Sequence, residues 1–286
     1  MTLLQILMLA VIQGAAELLP VSSSAHVIVA EKLMGLDPTT PEMTLLLVML
    51  HTGTMFAVIL YFWNSWKQSF FASRKIFMES AKYVFAATLL TGMVGLSLKF
   101  VIEKLILKDS AHAEIELLFG NMNLLSAALA AAGLLIVYAG LKNQHTRETN
   151  LGLKESCYVG AMQGICLPFR GFSRSGATIS TGLLLGVSRR RIEEFSFALA
   201  VVLTPPVIIR EVLRLLKGQE AAASSANGLW QLFMPGLLGM VFSFAAGLLA
   251  LKWLSSWLES GRWQLFGIYC LGASVTVFML HQFGYI

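Results

Sequence analysis

The sequence predicts an all-α integral membrane protein, with six transmembrane helices and two re-entrant helical hairpins arranged as an inverted-topology repeat. Three observations carry this reading. Hydrophobic residues make up 56% of the chain and charged ones only 13%, with a mean hydropathy of +0.71, outside the range of soluble domains. Six apolar stretches, with their flanks, approach the roughly 20 residues that cross a bilayer. Two polar clusters echo each other at about half the chain length: Gln13-Gly14-Ala15-Ala16-Glu17-Leu18-Leu19-Pro20-Val21-Ser22-Ser23-Ser24-Ala25-His26, and Gln163-Gly164-Ile165-Cys166-Leu167-Pro168-Phe169-Arg170-Gly171-Phe172-Ser173-Arg174-Ser175-Gly176-Ala177-Thr178. Such groups are expensive to bury in a membrane, so two similar clusters point to one site built from two repeats.

The first cluster lies between apolar arms at 6–17 and 27–34, each too short to cross, and is broken by Pro20 and three serines. That reads as a re-entrant hairpin with its tip at membrane depth, where irregular backbone is tolerated only inside protein or beside a water-filled cavity. Full spans are expected at 44–62, 84–100 and 117–141. A polar linker, 142–151, leads to the second hairpin, with arms 157–167 and 179–187 around the loop 171–176. Spans at 195–209, 232–251 and 265–280 complete the chain, and Pro205-Pro206 is expected to kink the fourth, because proline removes a helical hydrogen bond. Three spans, an odd number, separate the hairpins, so the first enters from the outward face and the second from the cytoplasmic face. Both tips then meet near the midplane. The whole chain forms one membrane domain, with repeat halves 1–141 and 152–286.

The net charge of +5 is informative by where the bases fall. Lys67, Arg74, Lys75 and Lys82, then Lys142, Arg147 and Lys154, then Arg189, Arg190 and Arg191, and finally Lys252 and Arg262 mark one set of connections. The other set is poorer: Lys32, then Lys104 and Lys108 among Glu103, Asp109, Glu114 and Glu116, then Lys217. By the positive-inside rule the first set is cytoplasmic. The start, Met1-Thr2-Leu3-Leu4-Gln5, has no basic n-region, so no cleaved signal peptide is expected. Cys157, Cys166 and Cys270 lack metal-ligand spacing and read as small buried hydrophobes.

In the second cluster, Arg174 stands between Ser173 and Ser175 and ahead of Gly176 and Thr178. A guanidinium fork, three hydroxyls and a glycine-loosened turn suit a phosphate or diphosphate. The alternative is a structural pairing of Arg174 with Glu17. In the first cluster, Glu17, the serines Ser22, Ser23 and Ser24, and His26 bring together a carboxylate, hydroxyl nucleophiles and an imidazole. His26 follows Ser23 by three residues, so on a helix a base reaches a hydroxyl. Ser22 and Ser24 read better as helix caps. Glu17 would be costly in lipid without Arg174, His26 or a metal beside it. His51, with Thr52 and Thr54, reads equally as a cavity-lining group or a satisfied helix-end histidine. His112, His145 and His281 read as loop or interface residues, and the tryptophans as packing and interfacial belts.

These residues resemble the undecaprenyl pyrophosphate phosphatases, the bacitracin-resistance proteins. The family signatures are a (Glu/Gln)-x-x-x-Glu motif followed by Pro-Val-Ser-Ser and a histidine, and a Pro-Gly-x-Ser-Arg-Ser-x-x-Thr motif. The first is met by Gln13, Glu17, Pro20-Val21-Ser22-Ser23 and His26. The second is met by Gly171-Phe172-Ser173-Arg174-Ser175-Gly176-Ala177-Thr178. The likeness extends over essentially the whole chain, including Glu194-Phe195-Ser196-Phe197. Gln13 takes the neutral option at its motif position, Arg170 stands where proline is usual, and Ala25 replaces a common glycine.

The resemblance implies a membrane hydrolase that converts undecaprenyl diphosphate to undecaprenyl phosphate and inorganic phosphate, recycling the lipid carrier of peptidoglycan and giving bacitracin resistance. Within that reaction the residues themselves make Ser23 the expected nucleophile, with His26 as base or acid and Glu17 orienting His26 or binding a divalent cation, magnesium or calcium. Direct attack by water, or by His26 itself, stays open. Arg174, Ser173, Ser175, Thr178, Gln13 and Gly176 would hold the diphosphate. The expected partners are the polyprenyl diphosphate and the bilayer, with no nucleic acid, and a homodimer stays open. The expected setting is the bacterial inner membrane, with the site opening to the periplasmic face. Two competing readings are a polyprenyl-phosphate flippase using the same headgroup site and a family member that binds the lipid without hydrolysis.

Overall fold

Capping chemistry sets where the long helices start. Thr40 accepts a hydrogen bond from the Met43 amide and Pro41 occupies the first helical turn, opening a helix at Pro41. Ser73 does the same for the Ile76 amide and opens the next at Arg74. The computed structural model describes residues 1–17, 19–106, 115–143, 150–218, 226–258 and 262–286. Among these the regular secondary structure is all helical, with no strand. The helices are α1 (Leu3–Glu17), α2 (Ser23–Leu33), α3 (Pro41–Ser69), α4 (Arg74–Val101), α5 (Met122–Asn143), α6 (Leu153–Cys166), α7 (Arg174–Leu184), α8 (Arg189–Gly218), α9 (Ala226–Leu258) and α10 (Trp263–Gln282).

Six helices, corresponding to α3, α4, α5, α8, α9 and α10, are long and apolar enough to cross a membrane, with candidate spans of 20 to 31 residues. Phe85, Leu89, Met93, Leu96 and Phe100 lie along one face of α4 and are all exposed. A soluble protein does not leave so continuous an apolar stripe in water. α8 runs unbroken through Pro205 and Pro206. The expected linker 142–151 falls largely outside the described residues, as do His112 and His145.

Between the long helices stand two pairs of short ones, α1 with α2 and α6 with α7, each pair joined by a non-helical break. The breaks match the polar clusters, but the arms begin earlier than the sequence reading placed them: α1 at Leu3 rather than 6, α2 at Ser23 rather than 27, α6 at Leu153 rather than 157, and, with the largest difference, α7 at Arg174 rather than near 179. The reason at α7 is a cap. Ser173 Oγ accepts from the Gly176 amide at 3.1 Å, so the Ser-Arg-Ser run opens a helix instead of extending a loop.

Packing places the pairs reciprocally. α1 lies on α9 and α6 on α4, α5 pairs with α10, and α3 packs on α8 as well as α9. Two glycines permit the first two contacts. A Cβ on Gly14 would fall 2.5 Å from that of Ala246, and one on Gly164 2.8 Å from the Thr91 carbonyl oxygen. Each glycine directly follows the glutamine that opens its cluster. Buried Ile136, Leu183, Ile192 and Phe195 tie α5, α7 and α8 together, while Leu9, Ile28, Leu50 and Leu125 tie α1, α2, α3 and α5. Trp66 and Trp263 are 6% and 3% exposed, so these two tryptophans pack within the protein rather than at a lipid interface. The result is that the two helical breaks come together, with Gly176 against the Pro20 carbonyl and Arg174 on Glu17.

Candidate active site

Glu17 ends α1 and is buried among apolar helices, a setting in which a carboxylate must be met by partners. Four groups from four elements meet it. Arg174 Nη2 donates to Glu17 Oε1 at 2.9 Å from the first turn of α7. Ser23 Oγ donates to Glu17 Oε2 at 2.6 Å from the first turn of α2. Gln13 Nε2, one turn back on α1, donates to the same oxygen at 2.7 Å. His51 Nε2, on α3, stands 3.4 Å from Glu17 Oε2 and 3.4 Å from Ser23 Oγ. Glu17 and Arg174 are 157 residues apart in sequence, so the pair joins the two polar clusters directly.

The arrangement leaves two buried polar atoms without a hydrogen-bond partner among the described residues, Arg174 Nη1 and Gln13 Oε1. Unpaired buried donors are costly, and an arginine that spends one nitrogen on a carboxylate and keeps the other free is arranged to bridge that carboxylate to an anion. A hydroxyl already hydrogen-bonded to a carboxylate is a nucleophile beside its proton acceptor. The site thus combines a hydroxyl, a carboxylate and a guanidinium within one constellation.

The other expected site residues divide differently. His26 does not reach Ser23. Its Nδ1 donates to the Ser22 carbonyl at 2.9 Å, and its Nε2 faces the Tyr269 hydroxyl of α10 at 2.8 Å, with the two rings stacked. Ser22 has φ 66° and ψ 79°, a left-handed backbone that costs a non-glycine residue roughly 1–2 kcal/mol, and the His26 contact ties down that peptide immediately before Ser23. Ser173 is occupied as the cap of α7. Thr178 donates to the Arg174 carbonyl at 2.8 Å and faces Ser196 at 2.6 Å, bracing α7 against α8. Ser175 is buried on the same helix. Gly176 lets α7 pack closely, since a Cβ there would fall 2.7 Å from Ile136 Cδ1 and 3.1 Å from the Pro20 carbonyl oxygen of the first cluster. Glu194 is buried and satisfied by Ser65, Arg190 and Arg191. Arg170 stacks its guanidinium on Phe119 at 4.4 Å.

A divalent cation fits Glu17 poorly. Oε1 is paired with a guanidinium and Oε2 receives two donors, so a cation bound there would displace these partners and face Arg174. Among the described residues no three His, Cys, Asp or Glu side chains converge on a metal-sized site. In this arrangement Glu17 serves as a hydrogen-bonding and ion-pairing carboxylate.

The sequence pattern of the bacitracin resistance protein BacA family matches residues 6–276, nearly the whole chain. The chain belongs to the BacA family. Among curated BacA-like relatives, Undecaprenyl-diphosphatase 2 of Acinetobacter baylyi is 58% identical over 281 residues, covering 98% of each chain. Undecaprenyl-diphosphatase 2 of Burkholderia ambifaria is 33% identical, covering 98% of this chain and 99% of its own. Undecaprenyl-diphosphatase of Bacteroides fragilis is 29% identical, covering 96% and 97%. The residue of this BacA chain underweighted by sequence reasoning is His51. Its partners Glu17 and Ser23 come from other elements, and the only local signal was a histidine flanked by threonines in an apolar run.

Proposed function

We propose that this chain hydrolyses undecaprenyl diphosphate, leaving undecaprenyl phosphate and releasing inorganic phosphate. The observation that carries the proposal is the Ser23–Glu17–Arg174 constellation, in which a hydroxyl, its proton acceptor and a half-free guanidinium share one buried spot. Ser23 Oγ attacks the terminal phosphorus and its proton passes to Glu17 Oε2. The bond from phosphorus to the bridging oxygen breaks, and the lipid monophosphate leaves. Arg174 stabilises the charge on the transferring phosphoryl group through Nη1, the kind of preorganised contact worth several kcal/mol in a transition state. Water then cleaves the phosphoserine, and the proton held on Glu17 returns to Ser23.

The reciprocal packing of α1 on α9 and α6 on α4, with Gly14 and Gly164 at matching places, supports reading 1–141 and 152–286 as inverted-topology repeats. The breaks are then hairpin tips at membrane depth. The base-rich connections support a cytoplasmic placement of the α3–α4 and α5–α6 turns, and with it a multi-pass protein of the bacterial inner membrane whose site opens toward the periplasm. A flippase would need the headgroup cation but has no use for a serine donating to a carboxylate, and the relatives' names favour the hydrolase. Purified protein in detergent, given undecaprenyl diphosphate, is expected to release phosphate. Lipid movement in liposomes without phosphate release would overturn the proposal.

A further inference from the structure

We propose that His51 is a catalytic residue of this site, its Nε2 taking the proton of the water that cleaves phosphorylated Ser23. The inference deepens the hydrolase reading and rests on it. Three observations lead to it.

The first is the tautomer. His51 Nδ1 lies 2.7 Å from the Leu47 carbonyl, one turn back on α3, and a carbonyl only accepts. Nδ1 therefore carries a proton, and Nε2 is the nitrogen free to gain or lose one. That nitrogen is the one aimed at Ser23 Oγ and Glu17 Oε2, 3.4 Å from each.

The second is the shortage of proton acceptors. The single hydroxyl proton of Ser23 is committed to Glu17. Once Glu17 has taken it, the carboxyl is neutral, and the water step needs another base. Gln13, at the motif position where a second carboxylate is the alternative, is an amide whose nitrogen donates to Glu17 and cannot act as a base. His51 is the remaining group at the reacting atoms that can.

The third is access. The His51 side chain is 24% exposed, that of Glu17 only 3%, so the imidazole is the more open of the two while the carboxylate is shut behind Ser23, Gln13 and Arg174. The charged groups facing His51 are Glu17 from α1, Arg174 from α7 and Arg170 from the break before it. From α8, Arg214 reaches Thr44, toward the start of α3, and Glu194 reaches Ser65, toward its end. α9 presents Ser243 to the Leu50 carbonyl. Among the described residues, Glu17 of α1 is thus the one carboxylate brought to Nε2 by an element packed on α3, and it is the group already protonated by Ser23 when the water step begins.

The step balances. The water oxygen bonds to phosphorus as the bond from phosphorus to Ser23 Oγ breaks, the water proton goes to His51 Nε2, and the proton on Glu17 returns to Oγ. His51 then releases its proton to solvent as phosphate leaves.

The experiment uses the full-length protein and undecaprenyl diphosphate labelled in its terminal phosphate. His51→Gln keeps a polar side chain beside Leu47, and is expected to lower turnover by about 10²–10³-fold, the scale of a lost general base, while labelled phosphate accumulates covalently on Ser23. Gln13→Glu in the His51→Gln background is expected to recover about tenfold, because a carboxylate returns to the site. Turnover of His51→Gln within about threefold of wild type, or a loss without label on Ser23, would contradict the inference while leaving the hydrolase reading in place. Failure of the wild-type protein to release phosphate would remove that reading itself.

Discussion

Ser23 and Glu17 lie on opposite sides of a helical break, yet the serine hydroxyl donates to the carboxylate at 2.6 Å. The break containing Pro20 turns the chain back so that the first turn of α2 faces the last turn of α1. Ser23→Ala removes the nucleophile and is expected to cut phosphate release by about 10³-fold or more, by analogy with the loss of an activated nucleophile. Because the serine is small and Glu17 keeps its other partners, thermal unfolding should move little, by no more than about 1–2 kcal/mol in stability. Retention of activity near the wild-type rate in a phosphate-release assay would rule out Ser23 as nucleophile.

Arg174 and Glu17 should show strong coupling in stability. Arg174→Ala leaves a buried carboxylate without its cation, a loss expected to cost about 3–5 kcal/mol. Glu17→Gln in the same background removes the stranded charge and is expected to recover part of it. Thermal unfolding in detergent of wild type, both single variants and the double variant checks this, and simple additivity would contradict a direct pair.

Arg174→Lys keeps the charge but loses the fork. With Nη2 engaged by Glu17 and Nη1 free, a lysine can serve one acceptor but not hold both in the same geometry. Phosphate-release kinetics are expected to show kcat lowered by about 10²-fold, the scale of one lost transition-state donor, with a smaller change in KM. An unchanged kcat would mean that the free nitrogen plays no part in the chemistry.

His26 is expected to act by holding the Ser22 peptide and Tyr269 by steadying His26. Tyr269→Phe keeps the ring stack and the Nδ1 contact, so activity should stay within about tenfold of wild type, the loss of one hydrogen bond near 1 kcal/mol. His26→Ala releases the left-handed Ser22 and should reduce activity much further. A larger effect from Tyr269→Phe than from His26→Ala, in the same assay, would reverse this order of dependence.

Gly14 and Gly164 test the packing of the short helices. A leucine at either would drive a side chain into α9 or α4, an overpacking expected to cost about 1–3 kcal/mol or more. Comparable losses of thermal stability at the two sites are expected, and indifference at one would show that its helix does not lie where described.

Much of this was legible in the sequence, for physical reasons that differ by element. The six spans were readable because apolar runs such as 44–62 and 265–280 have no other stable home, and the breaks because Pro20 and Gly171 interrupt arms too short to cross. The joining of Glu17 with Arg174 was legible only as the alternative to a phosphate-binding Arg174, because the cost of a buried carboxylate admits His26 or a metal as partner equally well. Individual hydroxyls were less legible: Ser173 and Thr178 stand in a phosphate-like pattern, yet one caps α7 and the other braces it against α8. Short-range spacing looks the same for a cap and a ligand. His26 and His51 show the same limit, since helical spacing put His26 near Ser23 while the partner that reaches it arrives from α3, a contact 28 residues away.

The most direct test is inorganic phosphate release from undecaprenyl diphosphate by the purified wild-type protein beside Arg174→Ala and Ser23→Ala. Release by the wild type, with both variants reduced by about 10³-fold, is the predicted result. Release at wild-type rates by either variant, or none by the wild type, would contradict a single hydrolytic site built where the two helical breaks meet.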